Sequence, residues 1–157
     1  IAVLGRPIVE VGAGTGYFTI ALAKSAAAPK VYAVDIEPSM VEHVQQRAMH
    51  DGLKNVVAVL ASGDRVNLPE PADVVLIVDT YHHLPNRVAY FTALKAQMKP
   101  GARLAIVDFR KGAPAGPPEE FRFTPNQISA ELAKAGFALQ TSHDFLPRQN
   151  FLIYGAR

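Results

Sequence analysis

Three glycines at alternate positions, Gly12, Gly14 and Gly16, interrupt this chain just after the apolar pair Ile8-Val9, and a stretch without helix breakers, Tyr17 to Ala27, follows them. A strand that ends in such a turn and runs directly into a helix lets backbone N–H groups approach a ligand closely. It also sets a helix N-terminus beside any negative charge. The feature predicts an α/β chain whose first strand-to-helix turn is a cofactor loop.

Spacing narrows the choice of cofactor. A dinucleotide turn carries G-x-G-x-x-G, and counting from Gly12 and Gly14 puts Tyr17 in the third glycine slot. The third glycine comes one residue early, and an acid, Glu10, stands two residues before the first. This E-x-G-x-G-x-G arrangement resembles the first motif of the class I S-adenosylmethionine-dependent methyltransferases.

Beyond the turn, apolar runs alternate with helical patterns, the signature of βαβ units and a parallel sheet. Strands are expected at Ile8–Val11, Val31–Val34, Val56–Leu60, Val74–Val78 and Arg103–Asp108, with two more near Ala138–Ser142 and Asn150–Gly155. Only Asp144 to Arg148 join the last two, too short a stretch for a crossover helix, so they should run antiparallel. The expected fold is a doubly wound, Rossmann-like, mostly parallel seven-stranded sheet with one antiparallel strand near the C-terminus.

The helices are punctuated by caps and breakers. Thr124-Pro125-Asn126-Gln127 reads as an N-cap, a first-position proline and a capping-box glutamine, with Ile128, Leu132 and Ala135 on one face and Gly136 as the stop. Asn86 is expected to cap a second helix that buries Val88, Phe91, Leu94 and Met98 before the Lys99-Pro100-Gly101 turn. A third begins near Pro38, buries Val41, Val44 and Ala48, and ends at Gly52. Lys111 to Pro118 is too rich in glycine and proline for regular structure and reads as a loop over the carboxyl edge of the sheet, well placed to cover a substrate, with a plain connector as the alternative.

Composition bounds the function. The 157 residues, 49% hydrophobic and 19% charged, read as one domain over 1–157, long enough to bury roughly 70% of its unfolded surface. The net charge is only +2 and the basic residues are scattered, which leaves no electrostatic footprint for nucleic acid. With no cysteine, disulfides, thiolate metal sites and thiol nucleophiles are excluded. No apolar run approaches the ~18 residues of a membrane span, and no signal-peptide pattern is visible, so a soluble, cytoplasmic chain is expected. It opens on Ile1, close to the first strand, and reads as lacking an N-terminal cap segment.

Several residues then fall along one sheet edge. Asp35 ends the second strand, where a carboxylate accepts both ribose hydroxyls. Ile36 and Met40 offer apolar and sulfur contacts to adenine, with ordinary core packing as the alternative. After the third strand, Gly63-Asp64-Arg65 offers a carboxylate to the adenine amino group and a backbone N–H to a ring nitrogen; Asp64 could instead be a helix cap. Gly12, Ala13, Gly14, Thr15, Gly16 and Tyr17 form the cofactor turn, and Glu10 is expected to orient it and to favour the cofactor's ammonium.

With these pieces the resemblance extends over Val9 to Thr19, Tyr32 to Met40, Gly63-Asp64 with Leu68-Pro69, Ala72 to Leu84, Met98 to Gly101 and Ala135-Gly136-Phe137. The Lys-Pro-Gly turn is similar to that of the ubiquinone and menaquinone C-methyltransferase-like group, with Ala102 where a second glycine is usual. The resemblance implies S-adenosyl-L-methionine as cofactor, S-adenosyl-L-homocysteine as product, and an acceptor met at Asp79-Thr80-Tyr81-His82-His83-Leu84. That segment lacks the paired prolines of nucleic-acid amino-methyltransferases. The chain also lacks the cysteines of arsenite methyltransferases. Asp79 and Asp108 mimic part of the catechol-type metal set, but its Asp-Asn pair is missing, so no metal is expected.

A small-molecule acceptor remains, methylated on oxygen, nitrogen or carbon by in-line displacement. Alignment alone supplies up to ~7–11 kcal/mol, and a base is needed only if the acceptor carries a proton. Histidine titrates near neutral pH, so His82 and His83 suit that task; packing or exposure at a helix start is the alternative for each, and as neighbours they should point apart. Asp79 is expected to position the cofactor's amino group and Tyr81 to line the acceptor pocket. Arg110 could meet an anionic acceptor or simply be solvated, while His43, His50 and His143 have no convergent partner. Two other classes stay open: a non-catalytic S-adenosylmethionine-binding module, and an NAD(P)-dependent oxidoreductase, which Tyr17 argues against.

Overall fold

A computed structural model describes residues 6–27 and 29–157, so the opening at Ile1 lies outside the described residues. The elements follow in the order β1 (Ile8–Val11), α1 (Tyr17–Ala23), β2 (Val31–Asp35), α2 (Pro38–His50), β3 (Val56–Leu60), β4 (Ala72–Val78), a 3-10 turn (Tyr81–His83), α3 (Arg87–Lys95) and β5 (Met98–Phe109). A second 3-10 turn (Glu119–Phe121), α4 (Pro125–Lys134), β6 (Phe137–His143) and β7 (Gln149–Ala156) complete the chain. The strands form one sheet in the order β3-β2-β1-β4-β5-β7-β6. All neighbours pair parallel except that β7 runs antiparallel to both β5 and β6, as the short connection required.

The order reverses between β1 and β4. From β1 the chain winds outward to β3, then crosses back to β4 on the other side, which opens a crevice at the carboxyl ends of these strands. Alternation along the strands sends side chains to two layers. Val9, Val11, Val75, Ile77, Leu104 and Ile106 pack with Phe91 and Leu94 of α3 and Ile128 and Leu132 of α4. On the opposite face a smaller cluster joins Ala13 and Ala33 to Val44 of α2.

The capping box is fully formed: the Gln127 N–H donates to Thr124 Oγ1 at 3.2 Å, and the Thr124 N–H donates to Gln127 Oε1 at 2.8 Å. Elsewhere local signals yield to tertiary structure. Helix α1 stops at Ala23 rather than Ala27, because Lys24 closes the last turn and Ser25 Oγ takes up the Leu22 carbonyl. Asn86 makes no side-chain cap; it sits at φ 43° and contributes its carbonyl to the Tyr90 N–H. Met98 belongs to β5, not to the helical stripe, since Ala72 of β4 pairs with it across the sheet; the Lys-Pro-Gly turn becomes an irregular strand start with Gly101 at φ 77°. Val41 and Val88 are only half-buried. Among the described residues, no helix is long and apolar enough to cross a membrane.

Candidate functional site

A cavity of about 510 Å³ occupies the crevice at the carboxyl edge. Its lining comes from the ends of four elements: Val11-Gly12 after β1, Asp35 to Glu37 after β2, Ala61 to Asp64 after β3, and Thr80 with His83 to Pro85 after β4. Val34, Val66 and Tyr90 close it.

The glycine turn is held in shape by β2. The Gly12 and Ala13 N–H groups donate to the Val34 carbonyl at 2.8 and 3.0 Å, and the Gly14 N–H donates to Asp35 Oδ2 at 2.8 Å. The other oxygen of Asp35 accepts the Glu37 N–H at 3.0 Å, so one carboxylate braces both the turn and the start of α2. Glycine is required at position 12 on two counts. Its φ is 76°, and a Cβ there would stand 2.3 Å from Thr80 Oγ1. The turn after β4 therefore passes directly against the glycine turn.

Glu10 points away from the cavity, into the α1 face of the sheet. It is 2% exposed, accepts a hydrogen bond from the Thr19 hydroxyl, and is pushed up to about 7, chiefly by burial. At the β3 end Asp64 is exposed; the Ser62 hydroxyl donates to it at 2.7 Å and holds its carboxyl below the usual range.

Beside the cavity the turn after β4 builds a histidine–carboxylate dyad. His82 Nδ1 lies 2.8 and 3.0 Å from the two oxygens of Asp108 at the end of β5. That carboxylate also accepts the backbone N–H groups of His82 at 3.0 Å and Phe109 at 2.8 Å, which fixes its orientation. A carboxylate on Nδ1 holds the proton there and leaves Nε2 with its lone pair. The His82 side chain is 6% exposed, and no fully buried side-chain polar atom among the described residues is unpartnered, so Nε2 retains an opening to solvent. Next to the dyad Asp79, at φ 50°, receives the Gln149 amide at 2.8 and 3.0 Å; burial and the neighbouring Asp108 raise its carboxyl.

The same turn is braced from behind. Tyr81 is wholly buried and donates to Glu131 of α4, which also takes Arg87 of α3 in a two-pronged pair at 2.5 and 2.9 Å. The Arg87 guanidinium lies over the Tyr81 and Phe123 rings at 5.1 and 4.4 Å. Pairing with Arg87 keeps the Glu131 carboxyl below its ordinary range, while burial raises Tyr81.

The glycine-proline loop is shaped by one buried guanidinium. Arg122 donates to the carbonyls of Pro117 at 2.9 Å, Arg110 at 3.0 Å, Ala113 at 2.6 Å and Ala115 at 3.3 Å. Glu119 takes the Gly112 N–H at 2.9 Å. Gly116, at φ 114°, lies against the ring of Phe109, whose centroid is 6.4 Å from that of the His82 ring with the planes at 72°. The loop thus reaches the dyad through Phe109.

Residues 4–144 match the model of a family described as a methyltransferase domain. The chain belongs to that family. This methyltransferase domain has the fold of the class I S-adenosylmethionine-dependent enzymes: it superposes on a SAM-dependent methyltransferase from Aquifex aeolicus with a TM-score of 0.88 and 27% identity, over 96% of this chain and 81% of that one. It is 30% identical over 105 residues to the demethylmenaquinone methyltransferase of Tropheryma whipplei, covering 67% of this chain and 42% of that protein. It is also 30% identical over 147 residues to a protein-L-isoaspartate O-methyltransferase of Anaeromyxobacter dehalogenans, covering 91% of this chain and 60% of that protein. The chain thus spans less than two thirds of the length of these curated relatives.

Of the residues singled out from the methyltransferase sequence, Gly12, Asp35, Ile36, Gly63, Asp64 and His83 line the cavity together. Ala13, Gly14, Thr15, Gly16, Tyr17, Met40, Arg65 and Asp79 do not line it, and Glu10 lies beneath the turn. Three expectations are corrected. Glu10 does not face a cofactor's ammonium, because its carboxyl lies beneath the turn on the Thr19 hydroxyl and burial pushes it up to about 7. Tyr81 does not line an acceptor pocket, because its ring packs against Phe91 and Phe123 and its hydroxyl is spent on Glu131. Arg110 does not reach for an anion, because its side chain donates to the carbonyls of Gln149 at 2.8 Å and Asp144 at 3.2 Å and so ties down the β6–β7 connection. Of the two candidate bases, His82 turns to Asp108 and His83 lines the cavity, and the tight 3-10 turn keeps their rings 4.1 Å apart. The sequence reading gave no role to Tyr90, Gln149 or Arg122. An arginine just after a glycine-proline loop and just before a helix cap was the available signal for the last.

Proposed function

We propose that this domain binds S-adenosyl-L-methionine in the carboxyl-edge cavity and directs its methyl group to a small molecule whose accepting atom carries a proton. The observation that carries the reading is the convergence on one cavity of Gly12, Asp35, Asp64 and His83, with His82 of the Asp108 dyad next to His83 on the turn after β4.

The cavity fits that cofactor. Its volume and mostly apolar wall suit a nucleoside, and the glycine at position 12 lets the turn after β4 pack against the cofactor turn at the cavity's edge. A carboxylate has about four acceptor sites, so Asp35 can take two ribose hydroxyls while still holding the Gly14 and Glu37 amides. Ile36 offers an apolar face to the base, and Asp64 offers an acceptor to its amino group. When bound, S-adenosyl-L-methionine supplies a methyl group on a positively charged sulfur, already activated for displacement. The protein therefore has two tasks, alignment and removal of the acceptor's proton. Nε2 of His82 takes that proton, and Asp108 stabilises the imidazolium that results. Phe109 and the Arg122-braced loop stand beside the dyad on its β5 side. With basic residues scattered over a chain of net charge +2, a small molecule suits the site better than nucleic acid.

Calorimetric titration tests the first half: S-adenosyl-L-homocysteine should bind, and NAD(P) should not. Binding of NAD(P) alone would return the chain to the oxidoreductases. Transfer of labelled methyl to a panel of phenols, carboxylates, amines and carbon acids tests the second. Failure of every acceptor, with homocysteine-form binding intact, would leave a non-catalytic binding module.

A further inference from the structure

We propose that the Tyr90 hydroxyl donates a hydrogen bond to a ring nitrogen of the adenine of an adenosyl cofactor and so fixes the base in the cavity; this rests on the reading of the cavity given above. Four tyrosines are buried among the described residues, and three have spoken-for hydroxyls. Tyr32 donates to Glu70 at 2.5 Å, Tyr81 donates to Glu131, and Tyr154 shares a 2.8 Å bond with Ser129. Tyr90 is 4% exposed in the first turn of α3, and its hydroxyl has no hydrogen-bond partner among the described residues. Its ring belongs to the main core cluster, with its centroid 5.5 Å from that of Phe91 and the two planes at 76°. Since no fully buried side-chain polar atom there lacks a partner, this hydroxyl opens into the cavity that the residue lines.

The walls around it are apolar: Val66, Leu84 and Pro85, with Val34 and Ile36 further along. An unpaired hydroxyl in such surroundings is costly, and a ligand atom that pairs with it gains accordingly. Burial raises Tyr90 above the ordinary tyrosine range, so at neutral pH it keeps its proton and can donate. The carboxylates that line the same cavity, Asp35, Glu37 and Asp64, can only accept. An occupant must therefore present donors toward the β2 and β3 ends and an acceptor toward α3. An adenosine does both, with hydroxyls and an amino group as donors and ring nitrogens as acceptors. The hydroxyl thereby becomes a determinant of which base is accepted.

The test is titration of the wild type and of Tyr90→Phe with S-adenosyl-L-homocysteine and with its 1-, 3- and 7-deaza counterparts. The substitution removes one oxygen and keeps the ring that packs on Phe91. Tyr90→Phe is expected to bind S-adenosyl-L-homocysteine about tenfold more weakly, and one deaza ligand is expected to bind both proteins alike. Equal affinity of the two proteins for S-adenosyl-L-homocysteine overturns the proposal while leaving the cavity assignment standing. A loss in the variant that is the same for all three deaza ligands also overturns it, because the effect is then packing. Failure of the wild type to bind any of these ligands removes the cavity assignment and the proposal with it.

Discussion

Replacing Glu10 by glutamine, Glu10→Gln, separates the effect of a buried charge from everything else near the glycine turn. The carboxyl ordinarily titrates near 4.5 and is pushed up to about 7 in the folded chain, because burial disfavours its charged form. Below pH 4.5 folded and unfolded chains both hold the proton. Between 4.5 and 7 the unfolded chain releases it while the folded chain keeps it, so the folded state is progressively disfavoured as pH rises. At about 1.4 kcal/mol per pKa unit, the loss comes to about 3 kcal/mol once pH passes 7. Glu10→Gln preserves an oxygen for the Thr19 hydroxyl but has no charge to bury. Urea unfolding of both proteins in steps from pH 4.5 to 8 should show the stability difference moving by about 3 kcal/mol in favour of the variant, most of it below pH 7. Comparing differences cancels the carboxylates and histidines common to both. A difference that stays flat to within about 0.5 kcal/mol across the range would refute the argument that burial governs this group.

Three further outcomes are expected. Asp35→Ala should weaken S-adenosyl-L-homocysteine binding by more than about tenfold, since it loses both the ribose acceptor and the brace on Gly14; circular dichroism should show the fold retained, and unchanged calorimetric affinity would remove the ribose role. His82→Asn and Asp108→Asn should each lower turnover by about 10²- to 10⁴-fold on whichever acceptor the panel returns. Their cofactor affinity should stay within about threefold, and an equal fall in both quantities would make the dyad a packing feature. Arg122→Ala strands four loop carbonyls and should open the 110–118 segment to limited proteolysis at a stability cost of about 3 kcal/mol. Resistance equal to that of the wild type would show that the loop holds its shape unaided.

Features that depend on near neighbours in the chain are legible in the sequence itself. The alternate glycines, the apolar runs of the seven strands, the short β6–β7 connection and the Thr124–Gln127 box each encode their outcome within a few residues, and each formed where expected. Pairings across the fold were not readable. His82 finds Asp108 26 residues on, Tyr81 finds Glu131 50 residues on, and Asp79 finds Gln149 70 residues on. Nothing local distinguishes those partners from other acids and amides. The same ignorance produced the errors: Tyr81 and Arg110 looked free because the groups that engage them lie on α4 and in the β6–β7 connection. Met98 was misplaced for a related reason, since only pairing with β4 makes a strand of it.

The hydrogen bonds of Arg122 fall on main-chain oxygens, at Arg110, Ala113, Ala115 and Pro117, with the Glu119 carboxylate 3.4 Å away. The contour of that segment is therefore written by its carbonyls and by the glycines at 112 and 116, while the side chains of Lys111, Ala113 and Ala115 make no hydrogen bond that maintains it among the described residues. Exchanging them re-letters the surface offered to an incoming molecule while the scaffold underneath keeps its form. A lineage carrying this arginine can change what it recognises by small steps, without first learning to fold a new loop.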